Sequence, residues 1–441
     1  MDSQFAYLIV LSAALTFVAL RNGKNSDLFT FPFLFPAVTV SFVLVEFSDF
    51  MLNAGRLYWI YSETGAVAVA LTMIALCSLA GLLGYGAAAA GSPKMAVAPK
   101  MPPISSHDVR FMHRASIIVG VISFAAFAAL SSLGGGFQQY IFESGAYSIV
   151  WSGLPVYLIF LVRLCYVSIV IQLWLWVRTN NKKHLRWALI FSILPIINIV
   201  FIFRRSEVIK LGVFFGYFLT NYGRLKVGRV PALIGLAGMY LVLKVFPFLR
   251  DEAGKQLGLQ QLVGDALQRE SYENSEIGSG LMRIYSSMQS SMYEYGSIFY
   301  NAVIQQFVPA GFVGTETKAK LLLPVINYED TAFAAYRFYL SPMGFAQAYQ
   351  QFWFFGALIF CALGYFMAKM ERGRFNSRRK EILLVLMIPT AVSTVSADLS
   401  LFFPQLLIFA VMVYFCVPKG APVRRRRKGA APVIGRRQIA R

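Results

Sequence analysis

The feature that most constrains this chain is a succession of long apolar runs. About 17 or more apolar residues coiled as a helix cross a hydrocarbon core roughly 30 Å thick. About eleven such runs occur, near 4–20, 28–48, 65–90, 115–134, 154–177, 186–203, 207–222, 231–249, 347–368, 381–397 and 399–417. The last two are separated only by Asp398, with Pro404 just beyond, and read as two short helices meeting in a hairpin. Composition agrees: 14% of residues are charged and 57% hydrophobic, against about 25% charged in an ordinary soluble domain. The expected fold is all-α, a polytopic integral membrane protein of about 11 transmembrane helices. Only Asp2 is charged before residue 20, so the first run lacks the basic flank of a signal peptide and is expected to be retained.

One long region breaks the pattern. From Arg250 to Gly344 the chain mixes charged residues such as Asp251, Arg269, Glu276, Arg283, Glu294, Lys318 and Arg337 with many aromatics. A loop of roughly 95 residues is too long for a plain connection. Its run MRIYSSMQSSMYEYGSIFYNAVIQQF (282–307) sets Met, Ile, Tyr and Phe at helical spacing, so the region is read as a folded cap carrying a long helix that ends before Pro309. Basic residues gather in the connectors 21–24, 94–114, 178–186, 224–229 and 369–380 and are absent from 135–153. Because basic short loops stay in the cytoplasm, this alternation places the N-terminus and the cap outside and the basic tail inside. The expected division is N-terminal spans (1–90), a Pro-, Ser- and Gly-rich cytoplasmic linker (91–114), central spans (115–249), the cap (250–346), C-terminal spans (347–417) and the tail (418–441). The RRRRK run at 424–428 suits anionic lipid beside the membrane, and nucleic acid is not expected as a partner. The net charge of +20 is thus mostly a record of topology.

The residue inventory narrows the chemistry. Cys77, Cys165, Cys361 and Cys416 all fall inside apolar runs and suit packing. His107, His113 and His184 all fall in connectors assigned to the cytoplasm, and no paired-aspartate, CxxC, phosphate-loop or nucleophile-elbow motif occurs. Catalysis without a metal or cofactor is therefore expected, and arginine is the remaining chemistry. Arg163 lies within the fifth run, where a charge is costly unless it meets a partner or polar cavity. Arg204 and Arg205 stand at the outer end of the sixth run, before Glu207 and Lys210. Two readings stay open for that pair: anchors reaching for the interface, with Glu207 paired locally, or a clamp whose guanidinium forks match a diphosphate. No convincing internal repeat is visible, which counts against a secondary transporter.

At this point the sequence resembles a family. The outward cap before the last three spans, the RRSE run at 204–207 and QAYQQFWFFG at 347–356 look like the Wzy-type O-antigen or oligosaccharide repeat-unit polymerases of bacterial inner membranes. That family tends to open the span after the cap with Glu-x-Tyr-x-Asn-Phe-Gly-x-x-Gly. Tyr349, Phe352 and Gly356 agree with this pattern, whereas Gln347, Gln351 and Trp353 depart from it. Gly134 to Gly136, Arg163 and Pro309 also sit where the family places such residues. The two Arg-x10-Gly spacings, Arg205 to Gly216 and Arg269 to Gly280, are expected by chance in a chain with 34 glycines.

The resemblance implies glycosyl transfer between two undecaprenyl-diphosphate-linked oligosaccharides at the outer face of the inner membrane, building O-antigen, capsule or exopolysaccharide. The lipid diphosphate leaves, so charge neutralisation matters more than a strong acid. Arg163, Arg204 and Arg205 would bind the diphosphate, with Arg283 or Arg337 closing from the cap. Glu207 and Asp398 are the candidate catalytic bases, with Glu143 also near the outer surface, and each has an alternative reading as a pairing or interfacial residue. Tyr285, Tyr293, Tyr295, Tyr300 and Tyr349 are candidates to meet the saccharide, or to pack helix faces. Implied partners are the lipid-linked saccharide, membrane lipids, a chain-length regulator and a flippase. An O-antigen ligase, which would carry an outer-surface histidine, and a flippase or other transporter remain the alternatives.

Overall fold

The protein is all-helical over the residues described by a computed structural model, which are 2–22, 28–90, 104–133, 154–202, 205–222, 225–244, 276–308, 310–324, 343–374 and 377–419. No β-strand occurs among them. Among the described residues, eight helical stretches are long and apolar enough to cross a membrane: Ser3–Asn22, Phe31–Asn53, Ala66–Ala90, Ser106–Leu133, Tyr157–Thr179, Lys182–Val200, Gly344–Arg372 and Leu399–Cys416. This makes the chain a multi-span membrane protein.

In chain order, α1 (Asp2–Asn22) is followed by α2 (Phe31–Asn53), which relaxes to π-helix over Thr39–Leu44, and by the short α3 (Gly55–Glu63). Then come α4 (Ala66–Ala90), α5 (Ser106–Leu133), α6 (Leu154–Arg163) and α7 (Cys165–Thr179). The central part continues with α8 (Lys182–Phe191), α9 (Ile193–Ile202), α10 (Arg205–Asn221) and α11 (Arg229–Lys244). The described cap consists of α12 (Glu276–Ser290), α13 (Ser297–Phe307), α14 (Ala310–Val313) and α15 (Thr315–Leu321). Last are α16 (Gly344–Phe352), α17 (Ala357–Gly373), α18 (Arg378–Ser393) and α19 (Phe402–Cys416).

The tightest pairing joins α4 to α17, and glycine is its cause. A Cβ on Gly84 would lie 1.9 Å from the Cys361 carbonyl oxygen, and one on Gly364 would lie 2.0 Å from that of Gly81. Between helices in lipid no hydrophobic drive remains, so close backbone approach through small residues supplies the packing. Phe31 and Phe35 of α2 stack at 4.7 Å, and Phe35 packs on Phe360 of α17. The apolar face of α18, from Ile382 through Val392, is buried, so this helix lies at the centre of the C-terminal group.

Several sequence expectations are corrected. The expected long cap helix over 282–307 is two helices, because the chain turns at Ser291–Gly296. The run at 347–368 breaks at Trp353 and restarts in α17, and the fifth run breaks at Leu164, directly after Arg163. The second half of the 91–114 linker is not a linker, since α5 already begins at Ser106. His113 and His184 are not in open connectors either. They sit on α5 and α8, and His184 is 4% exposed. The Nε2 amide of Gln172 donates to Ser116 Oγ at 2.6 Å and to His113 Nδ1 at 2.9 Å, while His184 Nδ1 donates to Gln172 Oε1 at 2.9 Å.

Candidate functional site

The described cap segment binds one end of the helix bundle, and the element it grips is α16. This short helix is buried along Gly344–Gln351 despite its sequence GFAQAYQQ, with Gln347, Gln350 and Gln351 almost wholly inaccessible. Three buried amides next to apolar spans demand partners, because an unmet polar group there is costly. The cap and the 394–401 hairpin supply them.

Gln350 accepts from Arg283 Nη1 at 3.1 Å and donates to Glu294 Oε1 at 2.6 Å. Gln351 donates to the other Glu294 oxygen at 2.5 Å and accepts from the Gly296 amide at 2.9 Å. The α16 carbonyls of Gln350 and Gln351 accept from the amides of Glu294 and Tyr295, which satisfies helix-end groups that would otherwise be orphaned. Gln347 donates to Asp398 Oδ1 at 2.8 Å and accepts from the Leu399 amide at 2.7 Å. Asp398 Oδ1 also accepts from the Ser400 amide and hydroxyl, capping the turn that opens α19. Gly356 lies where α16 folds back towards α17, and a Cβ there would come within 2.0 Å of the Ala348 carbonyl oxygen.

Around this polar line stand aromatics. Tyr293 meets Tyr349 edge-on at 6.0 Å, Tyr349 meets Phe354 at 5.5 Å, and Tyr285 meets the buried Tyr61 at 6.2 Å. The same end of the bundle holds Glu46, whose carboxylate accepts from the Glu276 amide, and Gln4, which accepts from Tyr58. Thus Arg283, Tyr285, Tyr293, Tyr349 and Asp398, named from sequence for different roles, stand in one neighbourhood. Tyr285, Tyr293 and Tyr349 spend their rings on packing, with Tyr349 only 3% exposed.

Glu207 belongs to a different group. It is 3% exposed on the first turn of α10, where it accepts from Tyr166 Oη and, at 2.9 Å, from Lys210 Nζ. Lys210 also lies over the Tyr166 ring at 4.8 Å. Among the described residues the partners of Glu207 are thus a lysine on its own helix and a tyrosine on α7, while the side chains of the arginine pair lie outside those residues. Arg163 is half-buried at the end of α6, two residues before the helix restarts at Cys165. The Arg205 backbone opens α10, while Arg204, Arg337 and Glu143 lie outside the described residues.

The opposite end of the bundle carries two buried carboxylates that sequence reasoning did not single out. Glu371 of α17 accepts from the Phe31 amide at 2.7 Å and from Tyr85 Oη at 2.5 Å. Glu381 of α18, wholly buried, accepts from Tyr222 Oη at 2.6 Å and Trp174 Nε1 at 2.8 Å. All four carboxylate oxygens are satisfied: Glu371 ties α17 to α2 and α4, and Glu381 ties α18 to α7 and to the end of α10. In sequence both look like ordinary charges beside the basic 369–380 connector, so only tertiary proximity reveals them. The glutamines of α16 gave a signal that could have been read: three amides in five residues of an apolar run need a folded polar partner.

Among the described residues no group of three His, Cys, Asp or Glu could hold a metal ion. No protein-family model, no curated protein and no solved structure matches the chain.

Proposed function

We propose that the protein is a polymerase of lipid-linked oligosaccharide repeat units, transferring the growing saccharide from one polyprenyl diphosphate to a second lipid-linked unit at the outer face of a bacterial inner membrane. The observation that carries this reading is the union of the cap with the QAYQQFWFFG run. Arg283, Glu294 and Tyr293 of the cap meet Gln350, Gln351 and Tyr349 of the run on which the family resemblance rests. In this reading the cap end is extracytoplasmic. α10, α11 and α18, at 17, 16 and 16 residues, complete eleven spans as short helices packed among the longer ones.

The reaction needs two things of the chain. Positive charge must meet the leaving diphosphate as the bond to the anomeric carbon breaks, and an acceptor hydroxyl must lose its proton. Arg283, with Arg163 and the Arg204–Arg205 pair, is suited to the first, because a guanidinium stays charged and offers paired donors to phosphate oxygens. For the second, Asp398 is the better placed of the two carboxylates, since it stands beside the cap-bound helix, whereas Glu207 is spent on Tyr166 and Lys210. The chain's own gene supplies the test. Its deletion is expected to collapse the ladder of surface polysaccharide to a single repeat unit, restored by the wild-type gene. Loss of every surface-attached unit would instead mean ligase or flippase.

A further inference from the structure

We infer that Tyr295 and Trp353 form an aromatic platform for a sugar ring, held by two strained turns where the described cap segment meets α16. Four non-glycine residues among those described have positive φ, and three of them fall in the two segments joined here: Ser291 (51°) and Tyr295 (43°) in the cap turn, with Gly296 at 93°, and Trp353 (54°) at the end of α16. Trp353 combines that φ with ψ −142°, a region that suits glycine and disfavours a bulky side chain. A packed protein keeps such residues only where surrounding bonds over-determine them and where the side chain has a use.

Both conditions hold here. The Tyr295 amide donates to the Gln351 carbonyl at 3.0 Å, two residues before Trp353, and Glu294 receives the amides of Gln350 and Gln351 beneath the turn. The two rings produced are not buried: Tyr295 is 77% and Trp353 45% exposed. Packing therefore does not account for them, in contrast to Tyr285, Tyr293 and Tyr349. Nor does contact with lipid require the strain, because Phe355 and Leu358, at 68% and 62% exposed, present apolar surface with unstrained backbone close by. Exposed aromatic faces suit a pyranose, whose C–H face is apolar.

The ligand class rests on the proposed polymerisation of lipid-linked saccharides, and the platform refines it. The test uses the full chain in lipid nanodiscs, with oligosaccharide repeat units released by mild acid from the source cell's surface polysaccharide as the probe. Tyr295→Gly and Trp353→Gly remove the rings and the strain together. Each is expected to weaken saccharide binding about tenfold while the melting temperature holds or rises, and Tyr295→Phe is expected to bind within about threefold of wild type. No binding by the wild-type chain, glycine variants that bind within threefold of it, or glycine variants that melt markedly lower would overturn the platform. An anchor in the lipid interface gives the second result. A ladder that collapses on deletion while the glycine variants still bind and polymerise removes the platform alone. Binding by the platform with an intact ladder after deletion removes the polymerase reading alone.

Discussion

Arg283 is the residue on which the proposed chemistry leans most within the described site. Its Nη1 reaches Gln350, and its guanidinium stands on the face of α12 turned towards α16. Arg283→Ala is expected to cut polymer formation by about 30-fold to 1000-fold, the equivalent of roughly 2 to 4 kcal/mol, and Arg283→Lys to restore only part of it. The check is polymer length at matched protein level in the membrane, since a folding defect would mimic a catalytic one. Tyr295→Gly is expected to stabilise the cap turn by about 1 kcal/mol through relief of its positive φ. Residues of this kind were only half legible in the sequence. Arg283, Tyr293 and Asp398 could be named because charged and aromatic types are conspicuous in an apolar chain. Their partners could not, because Gln350 and Glu294 are 56 residues apart and nothing local records that they meet. The strain at Trp353 was also hidden, since φ follows from how α16 turns back, not from the identity of the residue.

At the scale of elements, glycine and buried carboxylate set the packing. Replacing Gly356 by alanine drives a methyl group into the Ala348 carbonyl and is expected to cost about 1 to 3 kcal/mol, read as a lower melting temperature in detergent. Glu381→Leu strips the partners from Tyr222 Oη and Trp174 Nε1 together, at a cost of about 2 to 4 kcal/mol, and Glu381→Gln is expected to cost about half as much. A leucine variant as stable as wild type would show that the carboxylate does not tie α18 to α7. Apolar run length foretold the long helices well: the run at 65–90 became α4 at Ala66–Ala90. It foretold their breaks poorly. The turn at Ser291–Gly296 interrupts a helical pattern with no proline, and its cause is tertiary, the capture of Glu294 and Gly296 by two glutamines of α16.

Across the whole molecule, the described helices sort the chain to two ends, one bearing the cap with Gln4, Glu46 and Asp398, the other bearing Glu371, Glu381 and the turn at Asn180–Asn181. The alternation of basic connectors predicts the first end outside and the second inside. A small epitope placed in the exposed α15 is expected to be labelled on intact spheroplasts, and one placed at Asn180–Asn181 only after permeabilisation. Labelling on the same side, or the reverse, would dismantle the site. The central claim, that this chain joins lipid-linked repeat units, is tested most directly by reconstitution. Purified protein in liposomes is given the lipid-linked repeat unit extracted from a strain lacking the gene. The expected result is a ladder of saccharides on lipid, with one polyprenyl diphosphate released for each linkage and no loss of yield in chelator. A single unit that stays single while protein, lipid and substrate are all intact would contradict it.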